Sequence, residues 1–305
     1  MLDVCLLGTG GTVPLPNRWL TSLFLRWQGH AMLVDCGEGT QIALHQQAIS
    51  CKSIDTILLT HYHTDHTAGL PGILLTMAKS ERTEPVTIYG PKGLVDVMEG
   101  VYKVARYIPF EINLIEMTEK ENDFIVDGLK IKAINAKHSV PCFAYIFQLD
   151  RMPKFDRQKA EALNIPMRIW GQLQKGNVVE KDGITYDPSQ VLGQPRRGIQ
   201  MVYATDTRPL DRLVDLASHA DLYIGEGMYG DPEKIEKAML NKHSTMQETA
   251  ILAKKMEAKE LWFTHYSPSV KDPMEYADVI HQIFNNAVFS HDGQQKTLRF
   301  IDEGE

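Results

Sequence analysis

Apolar and polar positions along the chain fall into short hydrophobic runs separated by polar breaks, with a change of rhythm near residue 150. VCLLGTGGTV reads as a strand entering a glycine turn, and SLFLRWQG and AMLVDCG as a hairpin turning at Gln28-Gly29-His30. In GTQIALHQQAI, the spacing of Ile42, Leu44 and Ile49 after the acidic turn at Glu38 predicts a helix. DTILLT predicts a strand, LPGILLTMAKS a helix, VTIYG a strand, and PKGLVDVMEGVYKVA a helix with Pro91 in its first turn. From about 111 to 148 the pattern is short strands: EINLIEM, FIVDG, LKIKAINAK and FAYIFQL. MVYATD, DLYIGEG, KELWFTH and NAVFSH follow as buried strands, with helices near 210–219, 232–240, 245–257 and 273–283. Mixed strands first, then alternating helix and strand with polar clusters at strand ends, predict an α/β layer architecture with a site along one sheet edge.

Residues 150–198 break this rhythm, with weak periodicity and a different charge. Between Arg151 and Gly198 there are nine Lys or Arg against five Asp or Glu, a balance of +4 in a chain of net charge −7, which leaves −11 elsewhere. A long, poorly patterned insertion in a compact domain is usually functional or disordered. This one reads as an arm of about 150–198 protruding from a single domain that spans residues 1–305.

Composition narrows the class. With 305 residues, 43% apolar and 23% charged, the chain is an ordinary soluble globular protein long enough for a full core. No apolar run reaches the ~18 residues of a membrane span. MLDVCLLGTGG lacks a basic leader region, so no signal peptide is expected. Cys5, Cys36, Cys51 and Cys142 contain no CxxC pair and read as buried thiols of a cytoplasmic protein.

The densest chemistry is LLTHYHTDHTAG, where His61, His63, Asp65 and His66 follow an apolar run. Imidazole nitrogens and a carboxylate are the ligands zinc takes at about 2.0–2.2 Å. A pair of metals roughly 3.5–4 Å apart would form a clamp for phosphate-ester hydrolysis. Four residues cannot fill two coordination shells. His138 after LKIKAINAK, Asp206 after MVYAT and His265 after ELWFT have the same strand-end placement, and Asp206 suits a bridge because one carboxylate offers an oxygen to each ion.

In these residues the chain resembles the metallo-β-lactamase fold hydrolases, and within them the ribonuclease Z family of tRNA 3′-processing endonucleases. The supporting segments are LGTGGTVPLPNR, LVDCGEGTQ, LTHYHTDHTAGLPG, YGPKG, KHSVPCFAY, YATDTRP, KHSTMQETA and LWFTHYSP, in the family's order over nearly the full length. The resemblance implies an αββα sandwich of two mixed sheets with helices outside. It also implies two Zn²⁺ per chain, with Mn²⁺ or Fe²⁺ able to occupy an Asp-containing site of similar geometry. His61, His63 and His138 would hold one ion, Asp65, His66 and His265 the other, and Asp206 would bridge. A metal-bridging hydroxide, oriented by Asp65, would cut a phosphodiester at the 3′ end of precursor tRNA.

The same resemblance makes His243, in KHST, the proton donor to the leaving oxygen, and Glu226 the acid that orients it. Read without the family, His243 is a neighbour of Ser244, which would cap the helix in STMQETAILAKKM. In the family the arm grips tRNA, so Lys154, Arg157, Lys159, Arg168 and Lys175 are its candidate phosphate contacts. Where the family's arm carries a Gly-Pro pair, this chain has Met167-Arg168. A homodimer is also implied by resemblance. The rival reading is a hydrolase of the same scaffold acting on a small phosphodiester or other ester, such as a cyclic nucleotide. A further rival is a non-catalytic tRNA- or metal-binding protein.

Overall fold

A computed structural model describes residues 1–301. Strand β1 (Leu2–Gly8) pairs antiparallel with β2 (Ser22–Trp27), which returns through Gln28 and Gly29 into β3 (His30–Val34). Both turn residues have positive φ, 48° and 91°, as the tight hairpin turn between right-twisted strands requires. Next come α1 (Thr40–Gln46), β4 (Ile54–Leu58), a short helical turn α2 (Thr64–Thr67), α3 (Leu70–Lys79), β5 (Val86–Pro91), α4 (Leu94–Val104) and β6 (Ile112–Met117). The second half begins with β7 (Glu121–Val126), β8 (Leu129–Asn135) and β9 (Phe143–Arg151), followed by α5 (Arg157–Ala162), α6 (Trp170–Gln174), β10 (Val179–Lys181) and β11 (Ile184–Tyr186). It closes with β12 (Arg196–Ala204), α7 (Asp211–Leu216), β13 (Leu222–Glu226), α8 (Ile235–Asn241), α9 (Met246–Lys255), β14 (Leu261–Thr264), α10 (Ala277–Ile283), β15 (Ala287–Phe289) and β16 (Gln294–Leu298).

The main strands form two seven-stranded mixed sheets, ordered β16-β1-β2-β3-β4-β5-β6 and β15-β14-β13-β12-β9-β8-β7. Leu33, Ile57 and Ile88 of the first sheet pack with Leu70, Leu74 and Met98 of α3 and α4. Val202, Tyr223 and Phe263 of the second pack with Leu213, Ala250 and Ile280 of α7, α9 and α10. Met32, Val34, Leu58, Tyr145 and Phe147 are also fully buried, so the central strands have no solvated face. That is why they read as continuous apolar runs instead of alternating ones. The architecture is the expected αββα sandwich. No helix among the described residues is long and apolar enough to cross a membrane.

Three details differ from the sequence reading. Pro91 ends β5 opposite Met117 instead of opening α4, and Gly93, at φ 100°, precedes the helix. Sheet pairing wins there because the Glu116 carboxylate accepts from the Gly93 and Val95 N–H groups at 2.8 and 3.3 Å, capping α4 from the neighbouring strand. Ile42 is exposed, since α1 buries Ala43 and Leu44. β16, in the polar stretch QQKTL, adds an edge strand that no apolar pattern announces.

The described residues divide into two compact units, Met1–Gln148 with Gln200–Arg299, and Leu149–Ile199 with Phe300 and Ile301. The second has a small core of its own, in which Ala160, Ile165, Ile169, Leu173 and Val191 are buried beside Phe155 and Trp170. It also contains the antiparallel β10–β11 hairpin. All four cysteines are free and buried.

Candidate metal centre

The ligand-type residues sit where strands of the first unit end. His61 and His63 follow β4, and Asp65 and His66 lie on α2, where one helical turn brings them round from the strand direction. His138 follows β8, Asp206 follows β12, Glu226 ends β13, and His265 follows β14. Asp206 and His265 both adopt positive φ, 55° and 57°. L-residues with side chains enter this region at a cost, and such strain concentrates at functional sites.

Asp206 is the centre of the arrangement. Its Oδ1 lies 3.9 Å from Nε2 of His61 and of His138, and its Oδ2 lies 3.2 Å from His66 Nε2 and 3.3 Å from His265 Nε2. His63 Nδ1 faces His138 Nε2 at 3.3 Å, and Asp65 Oδ2 lies 3.3 Å from His265 Nε2. At this centre, three overlapping groups among the described residues have donor atoms close enough to share an ion, His61–His63–His138–Asp206, Asp65–His66–His265 and Asp206–Glu226–His243–His265, and a separate one is His30–Asp55–Asp127. Among the described residues, His61 Nε2 and Asp206 Oδ2 are buried without a hydrogen-bond partner. Nε2 of His66 and Nε2 of His265 face each other at 3.2 Å. Lone pairs aimed at one another in a dry pocket are what a divalent cation resolves, and the donor set suits one.

The other ring nitrogens explain the orientation. His66 Nδ1 donates to Asp35 at 2.8 Å, and His138 Nδ1 donates to the Lys242 carbonyl at 3.4 Å. His61 Nδ1 lies 3.0 Å from Thr60 Oγ1, which itself donates to Asp35. His265 Nδ1 is 3.4 Å from Glu226. The contacts of His66, His138 and His61 place the proton on Nδ1 and turn Nε2 to the centre. Asp35, fully buried, also accepts from the Thr60 N–H at 2.8 Å. Asp35 was assigned no role from the sequence, although an acid flanked by LV and C just past a core strand was the available signal. The GTGG turn is the other omission. A Cβ on Gly11 would come within 2.7 Å of the His265 ring, and the Thr12 N–H donates to Asp65 Oδ2 at 2.6 Å.

Beside this centre, His243 Nδ1 meets Glu226 Oε1 at 2.5 Å, and the other Glu226 oxygen accepts from the Ser244 N–H at 2.7 Å. His243 stacks on His265 at 5.8 Å between centroids and is the more exposed of the two, at 13% against 1%. The cap of α9 is Thr245, not Ser244. Thr245 Oγ1 and the Glu248 carboxylate form a reciprocal capping box, and Ser244 Oγ instead donates to the Thr207 carbonyl. Arg208 spans this corner, with Nη1 donating to the His243 carbonyl at 2.6 Å and both terminal nitrogens on Glu248.

The buried charges divide the imidazoles. Burial and the neighbouring His66 push the His61 pKa down to about 2. Burial opposes charge on His265 too, but Asp206, together with the neighbouring Asp65 and Glu226 carboxylates as acceptors, outweighs it and raises its pKa to about 10. His243 is raised as well, because Glu226 outweighs its burial. Burial disfavours ionisation of Asp206, yet the surrounding imidazoles hold its pKa well below the usual carboxylate range.

Of the basic candidates in the second unit, Lys154 and Arg157 line one concavity. Lys159 lies 3.7 Å from Asp156, Arg168 lies 3.9 Å from Asp182, and Lys175 is exposed.

Known proteins match both the fold and the full length. Residues 2–155 match the family described as Anti-Pycsar protein Apyc1. The chain is 48% identical over 303 residues to ribonuclease Z of Agathobacter rectalis, covering 99% of this chain and 100% of the relative. It is 46% identical over 304 residues to ribonuclease Z of Lachnospira eligens, covering 100% of both. Among solved structures it superposes on human tRNase Z, short form (ELAC1), with a TM-score of 0.71 and 25% identity, covering 97% of this chain and 99% of that one. The metallo-beta-lactamase fold protein YhfI of Bacillus subtilis matches with a TM-score of 0.69 and 18% identity, covering 97% and 98%. The chain therefore has the metallo-β-lactamase fold and belongs to the ribonuclease Z family.

Proposed function

We propose that the chain is a zinc-dependent endoribonuclease that hydrolyses a phosphodiester at the 3′ end of precursor tRNA. The observation that carries this reading is Asp206, which presents one oxygen to His61 and His138 and the other to His66 and His265. His61, His63 and His138 would hold one cation and Asp65, His66 and His265 the other, with Asp206 shared between them. Two bound divalent cations supply Lewis-acid polarisation of a phosphoryl oxygen and lower the pKa of water toward ~7.

The residues of the chain then divide the work. Asp65, fixed by the Thr12 N–H, orients the attacking water. Glu226 holds the His243 Nδ1 proton, so Nε2 is the nitrogen that delivers a proton to the leaving oxygen. The ribonuclease Z names of the relatives support RNA as the substrate, and the likeness to human tRNase Z supports tRNA. Residues 149–199 serve as the arm that contacts tRNA phosphates, through Lys154, Arg157, Lys159, Arg168 and Lys175. The active species is a cytoplasmic homodimer.

His243→Ala tests the assignment. The expected outcome is loss of precursor cleavage by about 10²–10⁴-fold, the usual contribution of a positioned acid, with bound metal unchanged. Equal cleavage by the variant would remove His243 from the mechanism. Light scattering at micromolar concentration tests the dimer, and a monomeric mass in fully active protein would remove it.

A further inference from the structure

We propose that the concavity in the 149–199 unit is a pocket for an unpaired nucleobase of RNA and its adjoining phosphate. The inference rests on the RNA-processing reading and goes beyond phosphate contact. The cavity measures about 940 Å³ and is walled by Phe155 and Trp170, with Lys154, Arg157 and Arg196 around it. Its size falls within the roughly 300–1,000 Å³ of ligand sites.

Charge comes first. Three cations line the cavity against one acid, Asp156. That carboxylate is engaged, since Oδ1 accepts from the Lys159 N–H at 3.0 Å and Oδ2 lies 3.7 Å from Lys159 Nζ. The Arg196 guanidinium is held in place through Nε and Nη2, which donate to the Met152 carbonyl at 2.9 and 2.7 Å. Lys154 and Arg157, both exposed, give the cavity its positive edge for an anion.

The aromatic wall selects what accompanies the anion. Trp170 is half-buried, and its Nε1–H donates to the Ile165 carbonyl at 2.9 Å. With that donor satisfied, the indole can offer the cavity only its hydrocarbon surface. Phe155 braces it at 5.4 Å between centroids, tilted by 40°. Phosphates alone are met by solvated side chains such as Lys175 and need no aromatic wall. A planar base beside a phosphate uses both features, because stacking on an aromatic side chain tolerates any base.

The test is binding of full-length protein to a precursor tRNA across a salt series. Trp170→Ala is expected to weaken binding about 10-fold or more while leaving the slope of log K against log salt unchanged, and Trp170→Phe to restore most of it. Arg157→Gln is expected to reduce that slope by about 1. Wild-type affinity in a folded Trp170→Ala protein would overturn the pocket. On the unmodified protein, precursor carrying 5-iodouridine at each uridine in turn should photocrosslink to Trp170 or Phe155, and crosslinks confined to other residues would also overturn it. If wild-type protein cleaves precursor while the Trp170 results are negative, the pocket alone fails. If wild-type protein neither binds nor cleaves precursor, the functional reading fails with it.

Discussion

The Arg208 guanidinium donates to the main-chain carbonyl of His243 at 2.6 Å, so the residue two places after Asp206 fixes the backbone of the proposed proton donor. The same guanidinium clamps Glu248, the acid that closes the capping box of α9. The Arg208 N–H donates to the Lys137 carbonyl at 3.2 Å, next to His138, and the Lys137 N–H donates to Thr207 Oγ1 at 2.9 Å. The loops after β8 and β12 and the connection between α8 and α9 are thereby held in one frame.

Arg208 is thus a positioning residue. Arg208→Ala is expected to lower kcat on precursor tRNA about 10²-fold, the typical cost of a misplacement near 1 Å, with KM and bound metal nearly unchanged. Arg208→Lys should not restore it, because a point charge cannot span a carbonyl and a carboxylate together. Steady-state kinetics with metal analysis of each variant reads both effects.

Asp35 supports the centre from beneath. Asp35→Ala strands the Thr60 N–H, the Thr60 hydroxyl and His66 Nδ1 in a fully buried site. The expected cost is about 3–5 kcal/mol in denaturant unfolding, as for removal of one partner of a buried pair. Asp35→Asn should fold and lose about 10–100-fold in metal affinity, because a ligand imidazole loses its orienting carboxylate. Calorimetric metal titration measures that loss.

Gly11→Ala tests the close approach of the glycine turn. The added Cβ would lie 2.7 Å from the His265 ring, so the ring must move. Metal affinity should fall about 10-fold or more by the same titration, while the β1–β2 pairing and the circular dichroism spectrum persist.

The thiols give a pH dependence with a definite sign. Burial pushes Cys5 and Cys36 from 9.0 up to about 12. The folded state therefore holds protons that the unfolded chain releases. The stability this contributes is complete below pH 9 and is lost as pH rises toward 12, at about 1.4 kcal/mol per pH unit for each thiol. Unfolding midpoints from pH 8 to 11 should fall accordingly. Neither thiol should react with a disulfide reagent at pH 8 until the protein is unfolded.

The fold and the clustering of ligand-type residues at strand ends were legible from the apolar runs. His61, Asp206 and His265 each follow a strand whose end is buried on both faces and appears as an apolar run ending in a polar residue, whereas His138 follows β8, in which buried and exposed positions alternate. The role of Asp35 was not legible, because a core acid reveals its partners only when Thr60 and His66 are folded around it. Arg208 looked like one more loop cation, since its acceptors are a carbonyl 35 residues away and a carboxylate 40 residues away. Residues 149–199 hid their order because their buried positions, from Ala160 to Val191, are too few and too irregularly spaced to set a period.

The most direct measurement is end-mapping of a precursor tRNA after incubation with metal-loaded protein, alongside hydrolysis of bis(p-nitrophenyl) phosphate. The expected result is a single cut at the 3′ end of the mature tRNA sequence, abolished by chelation and restored by two equivalents of Zn²⁺ per chain. Intact precursor beside robust turnover of the small diester would contradict it and leave a small-substrate phosphodiesterase on the same scaffold.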